Sequence, residues 1–534
     1  RKQLLLGCLF FLSLLSLSGQ PYDIVEFGAV ADGRTLNTEA IQTAIDRCHE
    51  AGGGTVRVPV GVFLTGSIEL RSNVHLYLSR GATLLGSTDI ADYREHIPQL
   101  RSWTDRWLKH SLIYGENLEH ISISGPGTID GQGAAFPVTT KVKPDRYRNR
   151  PYLLRLVGCR DVRVEGLSLR NSAMWMQHYF ACEDLLIRGL KVFNHANQNN
   201  DMLDIDGCRN VVIADCIGDT DDDGITLKST SERITENVTI TNCVLSSHAN
   251  ALKLGTESHG GFRNISISNI VIKPSAVDSV IFGSPRGDGG ITLGCVDGGR
   301  LENVHISNVV IDGPRTPLFL RLGDRGRTYL PGQPRPTPGI FRNVTISNVS
   351  ARGAGALGCS ITGIPGHPVQ DITLSNIRVY YRGGGAAPAA GLDVPEQEAT
   401  YPGAGRFGPR PAYGLYLRHV EGIRLENLVF RLEAPDARPA LVADEVQQLS
   451  IDGLQAAVSS AAPAFLHLRN ARQVSIDGAL PQGAPAAFLK VEGAGTAGIF
   501  VKSGSGEATD NDWIVVGEEV PADALGRSLP TDQK

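Results

Sequence analysis

An eight-residue phrase recurs along the chain. It reads RNVVIADC at 209–216, ENVTITNC at 236–243, RNISISNI at 263–270, ENVHISNV at 302–309, RNVTISNV at 342–349 and QDITLSNI at 370–377. Looser copies are EHISISGP at 119–126, RDVRVEGL at 160–167, IRLENLVF at 423–430, QQLSIDGL at 447–454 and RQVSIDGA at 472–479. Asn210, Asn237 and Asn264 are 27 residues apart, and the steps on to Asn303, Asn343 and Asp371 are 39, 40 and 28. Within each copy apolar and polar residues alternate with period two, as in a half-buried strand. Asn, Asp or Gly closes most copies, as a turn requires. A unit this short buries its apolar side only by stacking on its neighbours, which makes a solenoid.

The predicted fold is all-β, a right-handed parallel β-helix over residues 21–500. The longer steps mark loop insertions between windings. Insertions near 133–150, 282–300, 325–340 and 382–412 are rich in Gly, Pro and Arg, and can wall a groove on one flank. One helix is expected, in TEAIQTAIDRCHEAGGG at 38–54, with Ile41, Ala44, Ile45 and Cys48 on one face. It would cap the open apolar end of the stack. Residues 501–534 read as a looser cap or tail. The aliphatic repeats, the asparagines at turns and the capping helix argue against a propeller or a sandwich.

Composition narrows the function classes. The net charge of −5 carries no basic bias, which argues against nucleic acid or an anionic membrane surface as a partner. Residues 1–20 place two cations before an apolar run from Leu4 to Leu17, then small residues, which reads as a secretory signal. A secreted or periplasmic location follows, with no membrane contact after signal removal. LLGC resembles a lipobox, but the apolar run continues past Cys8. Of nine cysteines, Cys208, Cys216 and Cys243 lie in strand-like runs as buried thiols, and no CxxC pair suggests a zinc knuckle.

The acids of NNDMLDIDGCRNVVIADCIGDTDDD at 199–223 draw the chemistry to one place. Asp201 and Asp222 are 21 residues apart, close to one tight winding, so Asp201 faces Asp222 and Asp223 across neighbouring windings. The next winding brings His248, Asn250 and Lys253 to the same region. Packed carboxylates cannot all ionise, so one should hold a proton while another acts as base. Turn chemistry at Asp204 and Asp206, or a calcium site in DTDDDG, is the competing reading.

These motifs resemble the pectin-degrading glycoside hydrolases of family 28, over roughly residues 22–430. FGAVADGRTLNTEAIQTAIDRC and the stretch through LLGS at 27–87 are similar to that family's N-terminal cap and first windings, and GTIDGQG at 127–133 matches another of its stretches. The resemblance implies that Asn199, Asn200 and Asp201 stand for its NTD motif, and Asp222 and Asp223 for its DD motif. Asp222 would then protonate the glycosidic oxygen, and Asp201 and Asp223 would activate water, with inversion. Carboxylates about 5 Å apart accompany retention in general, and the family resemblance is followed here. The GHG motif departs: Asn250 stands where its histidine would, and His248, two residues earlier, is expected to support the acid, with Asn250 on the substrate. The RIK motif is missing, since Thr292 and Gly294 occupy its cation positions. Arg321, Arg325, Arg327, Lys253 and Arg286 are candidate substitutes, and Asn199 a further substrate contact. Trp175, His178, Tyr413, Tyr416 and His419 could line the groove.

The expected activity is inverting hydrolysis of a pectic polysaccharide or oligosaccharide by a monomer, with no metal or organic cofactor. The missing RIK and the long insertions favour a rhamnogalacturonan-type or exo-acting enzyme over an endo-polygalacturonase. A calcium-dependent pectate lyase and a non-catalytic sugar-binding solenoid are the rivals.

Overall fold

The computed structural model describes residues 20–143, 145–502 and 513–526. The expected signal segment and most of the expected tail lie outside the described residues. Its 37 strands form one parallel network wound into a right-handed β-helix. Leu203–Asp206, Arg209–Ala214 and Ile217–Thr220 make one winding. They pair in register with Ile225–Ser229 and with two parts of Thr235–Ser247 in the next.

The repeated phrase is the middle strand of each winding. Its central apolar position builds a column: Ile213, Ile240, Ile267, Ile306, Ile346 and Leu374 stack each on the next. All are buried. Burial of one such side chain stabilises by about 1.5–3 kcal/mol, so the column supplies much of the cohesion between windings.

The asparagines of the phrase hold the bends. Asn210, Asn237, Asn264, Asn303 and Asn343 have φ between 55° and 60°, a left-handed conformation that costs most L-residues about 1–2 kcal/mol. Each amide donates to the side-chain oxygen one winding earlier, at 3.1 Å for Asn237, 3.0 Å for Asn264 and 2.6 Å for Asn303. A second ladder runs through Asn242, Asn269, Asn308, Asn348 and Asn376 at 3.0–3.3 Å. Helix α1 (Thr38–Glu50) buries the expected Ile41, Ala44, Ile45 and Cys48, together with Gln42, against the first windings. The eight described cysteines are buried and unbridged.

The insertions leave the stack between windings and converge on one stretch of it. The C-terminal strands Ile514–Val516 and Leu525–Gly526 continue the ladder.

Asn264 both donates to Asn237 and accepts from Asn303, so Asn264→Ala loses two hydrogen bonds and keeps an unfavourable φ. We expect a destabilisation of about 1–3 kcal/mol, read as a lowered denaturant midpoint. Asn264→Gly, which relieves the φ, should cost less. Equal midpoints for the two variants would show that backbone strain plays no part.

Candidate active site

One face of the stack carries the site. Its strands are β1 (Gln177–Phe180), β2 (Leu203–Asp206), β3 (Ile225–Ser229), β4 (Asn250–Ser258), β5 (Gly289–Cys295) and β6 (Thr316–Leu322). His178, Asp204, Thr226, Lys253, Thr292 and Phe319 form one row across them.

Asp201 lies just before β2, and Asp222 and Asp223 just before β3. The Met202 N–H donates to the Asp223 carbonyl at 2.9 Å, and the Gly224 N–H to the Asn250 carbonyl at 2.8 Å. The backbone ladder therefore sets the three acids side by side, with an oxygen of each within 4.8 Å of the others. They open on a cavity of about 230 Å³ also lined by Trp175, Asn199, Lys228, Lys253 and Glu257.

Each acid has a different environment. Asp223 accepts from Lys253 Nζ at 2.5 Å and from the Asn250 amide at 2.7 Å. Burial, then the charge of Asp223, pushes Asp222 up to about 7. Burial, then Asp204 and Asp222, lifts Asp201 well above the carboxylate range. Asp204 lies behind it and is pushed up by burial to about 8, against the pull of Lys228. Lys228 Nζ sits 3.4 Å from Asp204, 3.7 Å from Asp201 and 3.8 Å from Glu257, over the Trp175 ring. Against opposing burial, Lys228, Arg325 and Arg327 hold Glu257 well below its usual range. Three acids in reach of one another could hold a cation. Here Lys253 and Lys228 supply the countercharge such an ion would bring.

Asp201, Asp222, Asp223, Asn199, Asn250 and Lys253 thus come together as the sequence predicts. His248 requires correction. The strand does not run regularly through 248–250: a bend at His248 and Ala249 precedes β4. The buried His248 ring turns to the flank, with Nδ1 2.9 Å from Asp221 and Nε2 2.9 Å from the Val277 carbonyl. It supports Asp221 and not the neighbouring Asp222. Arg321 and Arg325 also differ from expectation. Arg321 donates to the carbonyls of Gly363 and Glu396 at 2.9 and 2.6 Å, and so braces the 382–412 insertion. Arg325 is buried in a two-point pair with Asp297. Neither residue lines the cavity. Trp175 lines the cavity, whereas His178 is buried against Asp206 at 2.9 Å.

The remaining walls come from insertions: Trp103 and Trp107 from the loop before 110, Lys143, Arg146 and Tyr147 from 133–150, Arg327 from 325–340, and Tyr401 and Arg406 from 382–412. Sequence reasoning named Arg327 alone among these. Lys228 and Glu257 were also missed, although Lys228 pairs in register with Asp206, and a charge inside a buried strand is a readable signal. Among the described residues, no helix is long and apolar enough to cross a membrane.

Comparison with known proteins agrees with this geometry. The family model described as glycosyl hydrolases family 28 matches residues 48–397. A probable polygalacturonase of Vitis vinifera is 35% identical over 226 residues, which are 41% of this chain and 46% of that protein. An exo-poly-alpha-D-galacturonosidase of Dickeya chrysanthemi is 30% identical over 255 residues, 38% of this chain and 41% of that protein. The chain thus spans about half the length of the curated relatives it matches. A crystal structure of a hyperthermoactive exopolygalacturonase from Thermotoga maritima covers 77% of this chain and 92% of its own, with a TM-score of 0.57 and 22% identity, and shares the fold. With its family model matched across most of the stack and the DD pair on the cavity floor, the chain belongs to the family 28 glycosyl hydrolases.

Proposed function

We propose that this chain hydrolyses the glycosidic bond of a galacturonic-acid-containing pectic chain and acts from a chain end. The observation that carries the reading is the buried carboxylate trio with one member, Asp222, poised near neutrality. Asp222 gives its proton to the glycosidic oxygen as the bond to the anomeric carbon breaks. Asp223, whose charge Lys253 offsets, takes a proton from the attacking water as the new bond forms. Asp201, whose carboxyl is pushed up by burial and then by Asp204 and Asp222, orients that water. Inversion is the expected outcome. Asn199 and Asn250 border the reacting centre.

Exo action is supported by the walls. The loop before 110 and the 133–150, 325–340 and 382–412 insertions wall the acids, which favours a chain end over a through-running polymer. The names of the Dickeya relative and the Thermotoga neighbour point the same way. The rhamnogalacturonan reading has no such support, so polygalacturonate is the substrate of choice. A polymer of this size is met outside the cytoplasm, in keeping with the signal-like N-terminus.

Asp222→Asn should lower turnover on oligogalacturonides by about 3 orders of magnitude or more while binding persists, since acid catalysis alone is worth 10²–10⁴. Unchanged turnover would remove Asp222 from the acid role, and a wild type that binds oligogalacturonides without turning them over would favour the binding solenoid. In the wild type, the proton on Asp222 is lost as pH rises through about 7, so kcat should fall across that range. A rate that still climbs between pH 7 and 8 would contradict the role. NMR of the first turnover should show a saturated product of inverted anomeric configuration, insensitive to chelator. An unsaturated product would indicate a lyase, and a retained anomer would overturn the inverting geometry.

A further inference from the structure

We propose that Arg146 and Lys143, on the 133–150 insertion, form the clamp that binds the substrate sugar's carboxylate. This rests on the pectic reading above. Among the described residues, six cations and four carboxylates line the cavity. Lys253 is committed to Asp223, Lys228 to Asp201, Asp204 and Glu257, and Arg327 to Glu257 at 3.3 Å. Lys143, Arg146 and Arg406 have no carboxylate within ion-pair reach among the described residues. The positions where the family's cations would stand are Thr292 and Gly294, and Thr292 Oγ1 instead donates to Asn250 Oδ1 at 2.9 Å. Anion recognition has therefore moved from the sheet to a loop.

Arg146 is the better-placed of the three. Its Nη2 donates to Gln198 Oε1 at 3.0 Å, and its Nε is buried without a partner. A buried N–H left unpaired is costly, and an acceptor brought by a ligand would remove that cost. The loop is pinned beside the acids by buried Arg150, which donates to the carbonyls of Ala173 and Gln198 and to Asn199 Oδ1. Lys143 Nζ lies 4.6, 4.9 and 5.3 Å from the ring centres of Trp103, Trp107 and Tyr147. Burial, then the nearby charge of Arg327, pushes this ammonium down to about 8. A carboxylate arriving between Lys143 and Arg146 would stabilise the charged lysine and give the guanidinium its missing acceptor. The aromatic rings would flank the sugar. Arg406 is exposed, as Lys143 is, but unlike Lys143 it makes no ring contact, ion pair or side-chain hydrogen bond among the described residues.

The test is calorimetric binding of D-galacturonate, its methyl ester and D-galactose to the whole protein and to Arg146→Gln, Arg146→Lys and Lys143→Gln. The wild type should prefer galacturonate to the ester by about 10-fold or more, as for a charge-assisted pair. Arg146→Gln and Lys143→Gln should each narrow that preference to about 2-fold, Arg146→Lys should keep part of it, and melting temperatures should hold. A preference that survives in both glutamine variants, or is missing in the wild type, overturns the clamp. If the wild type turns over no pectic substrate while the selective binding behaves as stated, the proposed function fails and the clamp stands. If turnover is present and the preference survives both substitutions, the clamp fails and the function stands.

Discussion

In a parallel stack, a residue's neighbours are fixed by the register of its winding on the next, about 4.8 Å away. The asparagine ladders and the aliphatic column hold that register over the repeated strands. The Met202 and Gly224 backbone bonds carry it into the loops before β2 and β3. Asp201, Asp223 and Asn250 are then adjacent whatever their side chains prefer. Like charges repel, and a flexible loop would move them apart. Here the ladder does not yield, so burial, and after it the repulsion, appears as raised proton affinity at Asp201, Asp204 and Asp222. The acid and base of one site thus arise from a backbone constraint imposed by residues that never touch substrate.

This also explains what could be read from the chain. Asn264 and Ile267 belong to a phrase repeated with constant internal spacing, so strand, turn and winding were legible together. The spacing from Asp201 to Asp222 was legible for the same reason. Legibility ends where register stops. His248 lies at a bend where period-two alternation is interrupted, so the inference from Asn250 did not transfer. Arg321 and Arg325 were judged by composition, yet Asp297 and the carbonyls of Gly363 and Glu396, which claim them, come from distant stretches. Trp103, Arg146 and Tyr401 sit in insertions with no repeat to give them neighbours. Lys228 was legible in principle through its pairing with Asp206.

The site divides its labour between sheet and loops on electrostatic grounds. The sheet pairs Asp223 with Lys253, and near neutral pH it holds Asp222 near its midpoint. A substrate carboxylate entering without a counter-ion would add a further negative charge beside this cluster. That would raise Asp222 further and make it release its proton less readily. Cations placed on the same sheet would correct this only by pulling on the acids as well. Cations on the insertions come from loops, not from the strands that hold the trio, so they can pair with the substrate without an ion pair to the acids. A loop-borne clamp is therefore consistent with a trio already balanced by Lys228 and Lys253. The cavity's surplus of positive charge is then reduced when an anionic sugar fills it.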